Sequence, residues 1–465
     1  MADYDVIVVG AGPGGYVGAI RAAQLGQKTA IVDRQWLGGV CLNVGCIPSK
    51  ALLDSAHLVH KVRERADEYG LSFDNLKIDY SAAVKRSREA SDRLTKGVGF
   101  LMKKNEIDVH MGNARFTGPK QLEVTDDEGK KQTLKAANII IATGAKAALI
   151  PGVEIDGQQV VTYLEAILQE KLPKSAVVVG GGPIGLEFAT LWNAYGVEVT
   201  IVEMLPSLAP NEDEEVGKEI AKAFRSRGMT VLTGHKVESV EVLKTKVKVN
   251  VSDGDEQKTV EGEQVLIAIG WKPNTADLGL DKAGVRTDDR GFVEIDDRMA
   301  TNVEGVWAIG DVTGKLPLAH VASAMGIVCA ENIAGVETTT LDYEMMPRAT
   351  YSMPQIASFG LTEVQARERG FEVEVNRFPF QVNGKALGMG EKTGWVKLIN
   401  DSRYGEILGA HMVGPEVTEL LPELTIAQMM ELTPAEIARN VHAHPTLSEA
   451  LMEVAHMAEG HPIHL

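Results

Sequence analysis

The sequence is poor in cysteine, in long apolar runs and in basic charge, and each shortage excludes a class of protein. Three cysteines among 465 residues cannot form a disulfide scaffold, and they favour a reducing compartment. No run of about 18 apolar residues occurs, which excludes a membrane-spanning helix. Lys and Arg number 47 against 64 Asp and Glu, so the net charge of −17 leaves no basic surface for nucleic acid or an anionic membrane.

The remaining composition is typical of a soluble globular protein. Hydrophobic residues make up 44% and charged residues 24%, a balance that argues against disorder. The amino terminus lacks the basic region and apolar core of a signal peptide. The length predicts about three domains. Glycine, with 47 residues, is abundant and directs attention to turns that hold ligands. We therefore expect a cytoplasmic, multidomain α/β protein.

The chain contains an internal duplication. A β-branched apolar strand ends at Gly10, and a similar strand ends at Gly180, 170 residues later. Each is followed by a predicted helix, from about Arg21 and from about Ile184, and then by a second strand, 29–32 and 198–202. Polar segments around 110–135 and 235–260 predict hairpins. After about Met345 the pattern predicts a separate α+β module with strands at 371–380, 395–399 and 406–413 and helices at 417–431 and 447–458.

Each copy carries a GxGxxG motif in the setting that a dinucleotide needs. The motifs occupy residues 10–15 and 180–185, directly after a strand. Their glycines permit a tight turn, so that the next helix N-terminus can meet a pyrophosphate. Asp33 and Glu203 follow at the spacing where a carboxylate can hold a ribose hydroxyl. One such motif could serve packing alone, but two complete matches predict two dinucleotides.

Glu203 also predicts which nicotinamide cofactor binds. A carboxylate accepts a hydrogen bond from the free 2′-hydroxyl of NAD and repels the 2′-phosphate of NADP. The next residues, 204–206, supply no arginine that would hold that phosphate. The sequence therefore favours NAD.

Cys41 and Cys46 lie just after the first βαβ unit, beside the place where a flavin could lie. Zinc is disfavoured because no second Cys pair or suitably spaced Cys/His set accompanies them. Two small buried hydrophobic residues are the ordinary alternative. In a regular helix a separation of five residues rises about 7.5 Å, too far for a disulfide. Gly45 and Pro48 would allow a distorted turn, and we interpret the pair as a redox-active disulfide.

The segment from Cys41 to Lys50 resembles the active-site motif of the FAD-dependent pyridine nucleotide–disulfide oxidoreductases. The resemblance covers essentially the whole chain, including both glycine motifs and the segments 142–144, 308–311 and 442–449. It implies an α/β fold with two Rossmann-like dinucleotide-binding domains and a C-terminal α+β dimerisation domain. The implied domains are FAD-binding (1–148), NAD-binding (149–271), a central domain that completes the FAD site (272–343) and an interface domain (344–465).

The resemblance assigns most of the predicted cofactor contacts. Those to FAD are Gly10, Gly12, Gly15, Asp33, Gly112, Thr143, Gly144, Asp311, Pro317, Leu318, Ala319 and His320. Those to NAD are Gly180, Gly182, Gly185, Glu187, Glu203, Val237 and Gly270. Lys50 and Glu187 are expected to pair near the flavin N5, although Glu187 could equally serve as a helix N-terminal carboxylate. No metal is expected.

The implied activity is oxidation of protein-bound dihydrolipoamide to lipoamide by NAD⁺. A substrate thiolate would attack Cys41, and Cys46 would pass the electrons to FAD. His444 is the candidate base, with Glu449 orienting its imidazole. The implied partners are a second copy of the chain and lipoylated domains of 2-oxo acid dehydrogenase or glycine cleavage complexes. Two alternatives stay open: an NADH-dependent reductase of another low-molecular-weight disulfide, and a flavoprotein that binds NAD as a signal.

Overall fold

The computed structural model describes residues 2–465, which contain both strands and helices. The strands are β1 (Tyr4–Val9), β2 (Thr29–Asp33), β3 (Asp108–Met111), β4 (Asn113–Gly118), β5 (Gln121–Thr125), β6 (Lys131–Ile141), β7 (Ala145–Ala147), β8 (Val160–Val161), β9 (Ser175–Val179), β10 (Glu198–Glu203), β11 (Thr230–Thr233), β12 (Lys236–Val242), β13 (Val247–Ser252), β14 (Gln257–Gly262), β15 (Gln264–Ile267), β16 (Trp271–Pro273), β17 (Val306–Ala308), β18 (Arg348–Thr350), β19 (Gln355–Gly360), β20 (Val373–Pro379), β21 (Trp395–Asp401) and β22 (Ile407–Gly414).

The helices are α1 (Pro13–Gln24), α2 (Gly39–Val44), α3 (Cys46–Glu64), α4 (Tyr80–Lys104), α5 (Tyr163–Ala166), α6 (Pro183–Ala194), α7 (Glu214–Ser226), α8 (Leu280–Ala283), α9 (Ala319–Ala334), α10 (Glu363–Glu368), α11 (Gly384–Met389), α12 (Leu421–Met429), α13 (Pro434–Arg439) and α14 (Glu449–Ala458). Within residues 2–465, no helix combines the length and the apolar character needed to cross a membrane.

Two compact units divide the chain. Unit 1 comprises the residues up to Ala51 together with 81–148 and 270–343, and unit 2 comprises 52–80, 149–269 and 344–465. Each unit is therefore built from three separate stretches of chain. The first glycine motif and the cysteine pair belong to unit 1, whereas the second glycine motif and the His444 segment belong to unit 2.

Unit 1 is organised around a sheet in the order β3-β2-β1-β6-β5-β4, with β17 also paired to β6. The β3, β2, β1, β6 and β17 pairings are parallel, while β5 pairs antiparallel to β4 and β6. The apolar residues of β1 are almost completely buried, as expected for a parallel strand covered on both faces. α1 packs closely on α9 because small residues face each other: a Cβ at Gly326 would lie 2.5 Å from the Gly14 carbonyl oxygen.

Unit 2 contains a second parallel sheet, β11-β10-β9-β15-β8, and an antiparallel sheet, β12-β13-β14. β9, α6 and β10 repeat the arrangement of β1, α1 and β2, which confirms the internal duplication. The C-terminal residues form a five-stranded antiparallel sheet, β18-β19-β22-β21-β20. Its apolar core contains Phe359, Phe378 and Leu398, together with residues of α12 and α14.

The observed elements correct two predicted boundaries. α1 begins at Pro13 rather than near Arg21, because the glycine turn leads directly into the helix. Proline is well suited to the first helical position, since the N–H that it lacks would have no partner within the helix. The single helix predicted over 417–431 is divided into a 3₁₀ turn, Val417–Glu419, and α12. Pro422 lies in the first turn of α12, where it needs no N–H donor. The three predicted C-terminal strands are confirmed as β20, β21 and β22.

Candidate active site

The first glycine turn joins β1 to α1 in unit 1. Gly10 has a φ of 109°, and a Cβ there would collide with the Ala142 carbonyl oxygen, so the turn requires glycine. Gly15 allows α1 to approach the turn, because a Cβ would collide with the Gly10 carbonyl oxygen. Gly12 is the N-cap of α1; no side chain caps the helix there, and a Cβ would meet open space. An uncapped helix N-terminus beside open space fits a pyrophosphate.

The second glycine turn repeats this geometry in unit 2. Gly180 has a φ of 113°, and a Cβ there would collide with the Ala268 carbonyl oxygen. Gly185 faces the Gly180 carbonyl oxygen in the same way as its counterpart in the first turn. Gly182 caps α6 without a side-chain hydrogen bond, and open space again lies beside it. Both turns therefore have the free backbone donors that a dinucleotide phosphate requires.

The two predicted ribose carboxylates lie at the ends of β2 and β10, under the glycine turns. Asp33 Oδ2 accepts a hydrogen bond from Ala11 N at 2.7 Å, and Glu203 Oε2 accepts one from Gly181 N at 2.6 Å. The other oxygen of Glu203 accepts from Leu205 N at 2.7 Å. These bonds fix each carboxylate while leaving lone pairs that can accept from a ribose hydroxyl.

Further predicted flavin contacts in unit 1 lie between β3 and β4, at Gly112, and just after β6, at residues 143–144. Gly112 and Gly144 both have positive φ, at 152° and 68°. Thr143 Oγ1 donates to the Asn274 carbonyl oxygen at 2.9 Å, and Asn274 Nδ2 donates back to the Thr143 carbonyl oxygen at 3.0 Å. Asn274 N also donates to the Gly144 carbonyl oxygen at 3.0 Å. These hydrogen bonds hold residues 143–144 in one conformation. The role of Asn274 in holding them could not be predicted from the sequence.

Asp311 lies in the turn that precedes α9. It lies in the short 3₁₀ helix Gly310–Thr313, and burial raises the pKa of its carboxyl to about 6. The predicted segment Pro317–His320 leads into α9, which packs on α1. These residues thus belong to the same unit as the first glycine turn. A carboxyl group whose pKa is raised mainly by burial fits a site that receives polar groups of a ligand.

Cys41 and Cys46 form a disulfide in unit 1. Their Cα atoms are 4.6 Å apart, because the chain does not continue as one regular helix between them. α2 ends at Val44, and Gly45 adopts φ −134° and ψ −115° before α3 begins at Cys46. A Cβ at Gly45 would lie 2.9 Å from the Val40 carbonyl oxygen, so the break requires glycine. The distorted turn predicted from the sequence is confirmed.

Asn43, between the two cysteines, holds the turn that carries the disulfide. Its Nδ2 donates to the carbonyl oxygens of Leu37 and Gly39, both at 2.9 Å. Thr95 Oγ1 of α4 donates to its Oδ1 at 3.2 Å. This role of Asn43 could not be predicted from the sequence, because its partners include the preceding turn and a residue of α4. Lys50 lies on α3 one turn beyond Cys46.

Glu187 is a buried residue of α6 in unit 2. Its Oε1 accepts a hydrogen bond from Tyr351 N at 3.0 Å. This bond connects the helix of the second glycine turn to the segment between β18 and β19. The Tyr351 contact was not foreseen. Of the remaining predicted NAD contacts, Val237 lies on β12 in unit 2, whereas Gly270 lies in unit 1 with a φ of 121°.

His444 and Glu449 form a hydrogen-bonded pair in unit 2. His444 Nδ1 lies 2.9 Å from Glu449 Oε1, and Glu449 Oε2 accepts from Thr446 N at 2.8 Å. Burial raises the pKa of Glu449, but the Thr446 N–H, the His444 hydrogen bond and the nearby histidine charges lower it overall. The His444 side chain is 79% exposed, so its Nε2 side is accessible to a substrate. His442 is different: its side chain is buried, with Nε2 2.8 Å from Glu423 Oε1.

The family models cover nearly all of the chain. Residues 4–326 match the pyridine nucleotide-disulphide oxidoreductase model, and residues 346–455 match the dimerisation domain of the same family. The chain belongs to the pyridine nucleotide-disulphide oxidoreductases. The dihydrolipoyl dehydrogenase of Mycobacterium leprae is 54% identical over 100% of both chains. The enzyme of the same name from Corynebacterium glutamicum is 48% identical over 99% of both chains.

Solved structures agree with this assignment. The crystal structure of LpdA from Mycobacterium tuberculosis matches with a TM-score of 0.90 at 26% identity, covering 97% of this chain and 99% of that one. The HOCl-induced flavoprotein disulfide reductase RclA from Escherichia coli, as a Cu(II) complex, matches with a TM-score of 0.88 at 26% identity, covering 98% and 100%. The predicted α/β fold, with two Rossmann-like domains and a C-terminal α+β dimerisation domain, is confirmed.

Among residues 2–465, no three His, Cys, Asp or Glu side chains come together as a group that could hold a metal ion. The third cysteine, Cys329, is fully buried in α9, and burial raises the pKa of its thiol. Its side chain packs in the interior, with no exposed surface.

Proposed function

We propose that the protein is a dihydrolipoyl dehydrogenase, which oxidises dihydrolipoamide to lipoamide and reduces NAD⁺ to NADH with release of a proton. The observation that carries the proposal is the Cys41–Cys46 disulfide, which lies in the same unit as the first glycine turn. Full-length relatives named dihydrolipoyl dehydrogenase, 54% and 48% identical, support this choice of substrate.

FAD binds to the first glycine turn and NAD to the second. The uncapped start of α1, the Asp33 carboxylate, the 143–144 turn and Asp311 supply the donors and acceptors that FAD needs. When bound there, FAD would supply the two-electron chemistry that links the reduced cysteine pair to hydride transfer onto NAD⁺. The proposed domains are 1–148, 149–271, 272–343 and 344–465. Of the five breaks between the compact units, those after residues 148, 269 and 343 lie within two residues of these boundaries and support them, whereas residues 52–80 of the first proposed domain are grouped with unit 2.

The cysteine pair performs the thiol chemistry. A substrate thiolate attacks Cys41 Sγ, a substrate–Cys41 disulfide forms, and the Cys46 thiolate leaves. The second substrate thiolate then attacks the sulfur of the substrate in that mixed disulfide, which releases lipoamide and the Cys41 thiolate. Two electrons have moved from the substrate to the cysteine pair. Cys46 is the better leaving group because it begins α3, where the helix N-terminus stabilises a thiolate.

His444 accepts the proton of the attacking substrate thiol. The Glu449 carboxylate holds the imidazole through Nδ1 and stabilises the cation that forms, which leaves Nε2 to receive the proton. The dimerisation domain supports a homodimer, and we assign His444 to the disulfide of the partner subunit.

Lipoylated domains of 2-oxo acid dehydrogenase or glycine cleavage complexes would supply the substrate. Because two of three cysteines form this redox pair, the chain carries no structural disulfide, which supports the cytoplasm as its location.

A direct assay tests the proposed function. The purified, flavin-loaded protein should reduce NAD⁺ with dihydrolipoamide and with a dihydrolipoyl protein domain, and the domain should give the lower KM. Glutathione disulfide, cystine and other small disulfides should be poor substrates for the NADH-dependent reverse reaction. Negligible activity with both dihydrolipoyl substrates, together with rapid reduction of another disulfide, would replace the proposal by a general disulfide reductase.

Glu203 should determine the preference for NAD. Replacing Glu203 with Arg removes an acceptor for the ribose hydroxyl, and losing one charged hydrogen bond weakens NAD⁺ binding by about tenfold to a hundredfold. The new guanidinium should at the same time improve binding of NADP⁺. KM values for both nucleotides measure the change, with Glu198→Arg, an exposed position at the start of β10, as the control. A wild-type protein that uses both nucleotides equally would contradict the assignment.

A further inference from the structure

The chain that follows Glu203 folds back over the second glycine turn. We call residues 204–213, which run from β10 to α7 without regular structure, the β10–α7 loop. At its start Leu205 N donates to Glu203 Oε1 at 2.7 Å. Further along, Ala209 N donates to the Gly181 carbonyl oxygen at 2.9 Å. The position of the loop therefore fixes both the ribose carboxylate and the peptide that contacts it.

Glu212 ties the far end of this loop to the C-terminal sheet. Its carboxylate accepts a hydrogen bond from Ser358 Oγ, and it lies 3.6 Å from Arg348 Nε and 3.8 Å from His411 Nδ1. Burial alone raises the pKa of Glu212, but the nearby His411, the charge of Arg348 and the hydrogen bond from Ser358 lower it overall. The three partners lie on β19, β18 and β22, so one carboxylate contacts three strands.

Asp213 makes a second connection, to Lys397 on β21. Lys397 Nζ lies 3.1 Å from both Asp213 oxygens and 3.0 Å from Glu363 Oε2, and only 2% of its side chain is exposed. The same Asp213 carboxylate caps α7 by accepting from Glu215 N at 3.1 Å. The lysine thus holds the residue at which the loop ends and the helix begins.

These buried ions are better suited to fixing a position than to adding stability. The free-energy cost of removing two charged groups from water is about as large as the free energy gained from their mutual attraction. Such pairs therefore contribute little to the net stability of the fold. Their geometry is nevertheless restrictive, because an unpaired buried charge is strongly unfavourable. The loop can therefore occupy only the position in which Glu212 and Asp213 both meet their partners. That position places Leu205 and Ala209 against the glycine turn.

We propose that Lys397 and Arg348 are positioning residues for NAD. By holding the β10–α7 loop through Asp213 and Glu212, they set the place of Glu203 and hence the affinity for the adenosine ribose. The inference rests on the proposed function only in taking the second glycine turn as the NAD site. It adds that strands of the dimerisation domain, far from the nucleotide in sequence, determine nucleotide affinity.

ADP-ribose binding tests the proposal without requiring catalysis. The probe contains the adenosine ribose and pyrophosphate but no nicotinamide, so the flavin is not reduced. In the flavin-loaded homodimer, Lys397→Met should raise the ADP-ribose Kd by about fivefold or more. The KM for NAD⁺ should rise in parallel, while the KM for dihydrolipoamide stays unchanged. Lys246→Met is the matched control, because it removes a lysine from an exposed ion pair with Glu261 on the β13–β14 hairpin of the same unit.

Asp213→Asn provides an independent variant if Lys397→Met does not fold. Asparagine keeps the helix cap and removes the charge that meets Lys397, so the ADP-ribose Kd should again rise. Glu203→Gln supplies a coupling test: its effect on ADP-ribose binding should be smaller in the Asp213→Asn background than in the wild type, because both changes act on one ribose contact.

Two results would overturn the proposal. One is an ADP-ribose Kd within about twofold of the wild type in every folded variant of Lys397 and Asp213. The other is full additivity between Glu203→Gln and Asp213→Asn. Failure of the proposed function has a different signature: a wild-type protein that binds ADP-ribose but does not oxidise dihydrolipoamide would leave the positioning role of Lys397 intact.

Discussion

Replacing either Cys41 or Cys46 with serine is expected to slow dihydrolipoamide oxidation on the order of 10³-fold or more, while leaving FAD and NAD binding intact. The disulfide is the group that the substrate reduces, and one remaining thiol cannot complete the exchange. Serine is close to cysteine in size, so the turn around Gly45 should persist. Steady-state rates and flavin absorbance of the purified variants measure the two expectations.

The two serine variants should differ in the thiol that they retain. Cys41→Ser leaves Cys46 at the N-terminus of the 19-residue α3, where the helix dipole favours a thiolate. Cys46→Ser leaves Cys41 inside the six-residue α2, without that advantage. Alkylation by iodoacetamide should therefore remain rapid at lower pH in Cys41→Ser than in Cys46→Ser.

Cys329→Ser is the matched control for both variants. Cys329 is fully buried in α9, so the substitution tests the general effect of removing a cysteine away from the disulfide. We expect this variant to oxidise dihydrolipoamide at close to the wild-type rate. If Cys41 proved to ionise at lower pH than Cys46, the assignment of Cys46 as the leaving group would be reversed.

The glycine turns could be predicted from the sequence because their requirement is local. Gly10 and Gly180 adopt positive φ next to a neighbouring carbonyl, and only glycine meets both conditions. The break at Gly45 could be predicted for a similar reason, since it depends on residues within one short motif. The roles of these segments follow from backbone sterics over a few residues.

Lys397 shows what could not be predicted. It lies between Val396 and Leu398 on a strand. Successive side chains of a strand point to opposite faces of the sheet, so a lysine between two apolar residues is expected to face solvent. All seven residues of β21 are nevertheless buried, and the partner of Lys397 is Asp213, 184 residues earlier in the chain. Asn274 and Tyr351 were missed for the same reason, because their contacts with Thr143 and Glu187 join residues more than 130 positions apart. Contacts between residues so far apart in the chain leave no periodic pattern in the sequence from which they could be predicted.

The exposure of His444 leads to the last prediction, which concerns the homodimer. A general base works best when neighbouring groups hold it and bulk water is excluded. Glu449 holds the imidazole, yet 79% of the His444 side chain is exposed in the single chain, and Val441 nearby is 93% exposed. Both residues lie in the stretch that matches the dimerisation domain. A second subunit that covers this surface would complete the site, and His444 would then serve the disulfide of its partner.

Hybrid dimers can separate this arrangement from action within one subunit. Cys41→Ser and His444→Ala homodimers should each be nearly inactive with dihydrolipoamide. In a hybrid that contains one subunit of each kind, the subunit with the intact disulfide receives His444 from its partner, whereas the other site carries both defects. Isolated hybrids should therefore recover about half of the wild-type activity per dimer. The His444 side chain is largely exposed and its hydrogen bond to Glu449 lies at the surface, so the alanine variant should still fold. Hybrids that stay inactive, although both parent dimers are folded and flavin-loaded, would show that His444 acts within its own subunit or is not the base.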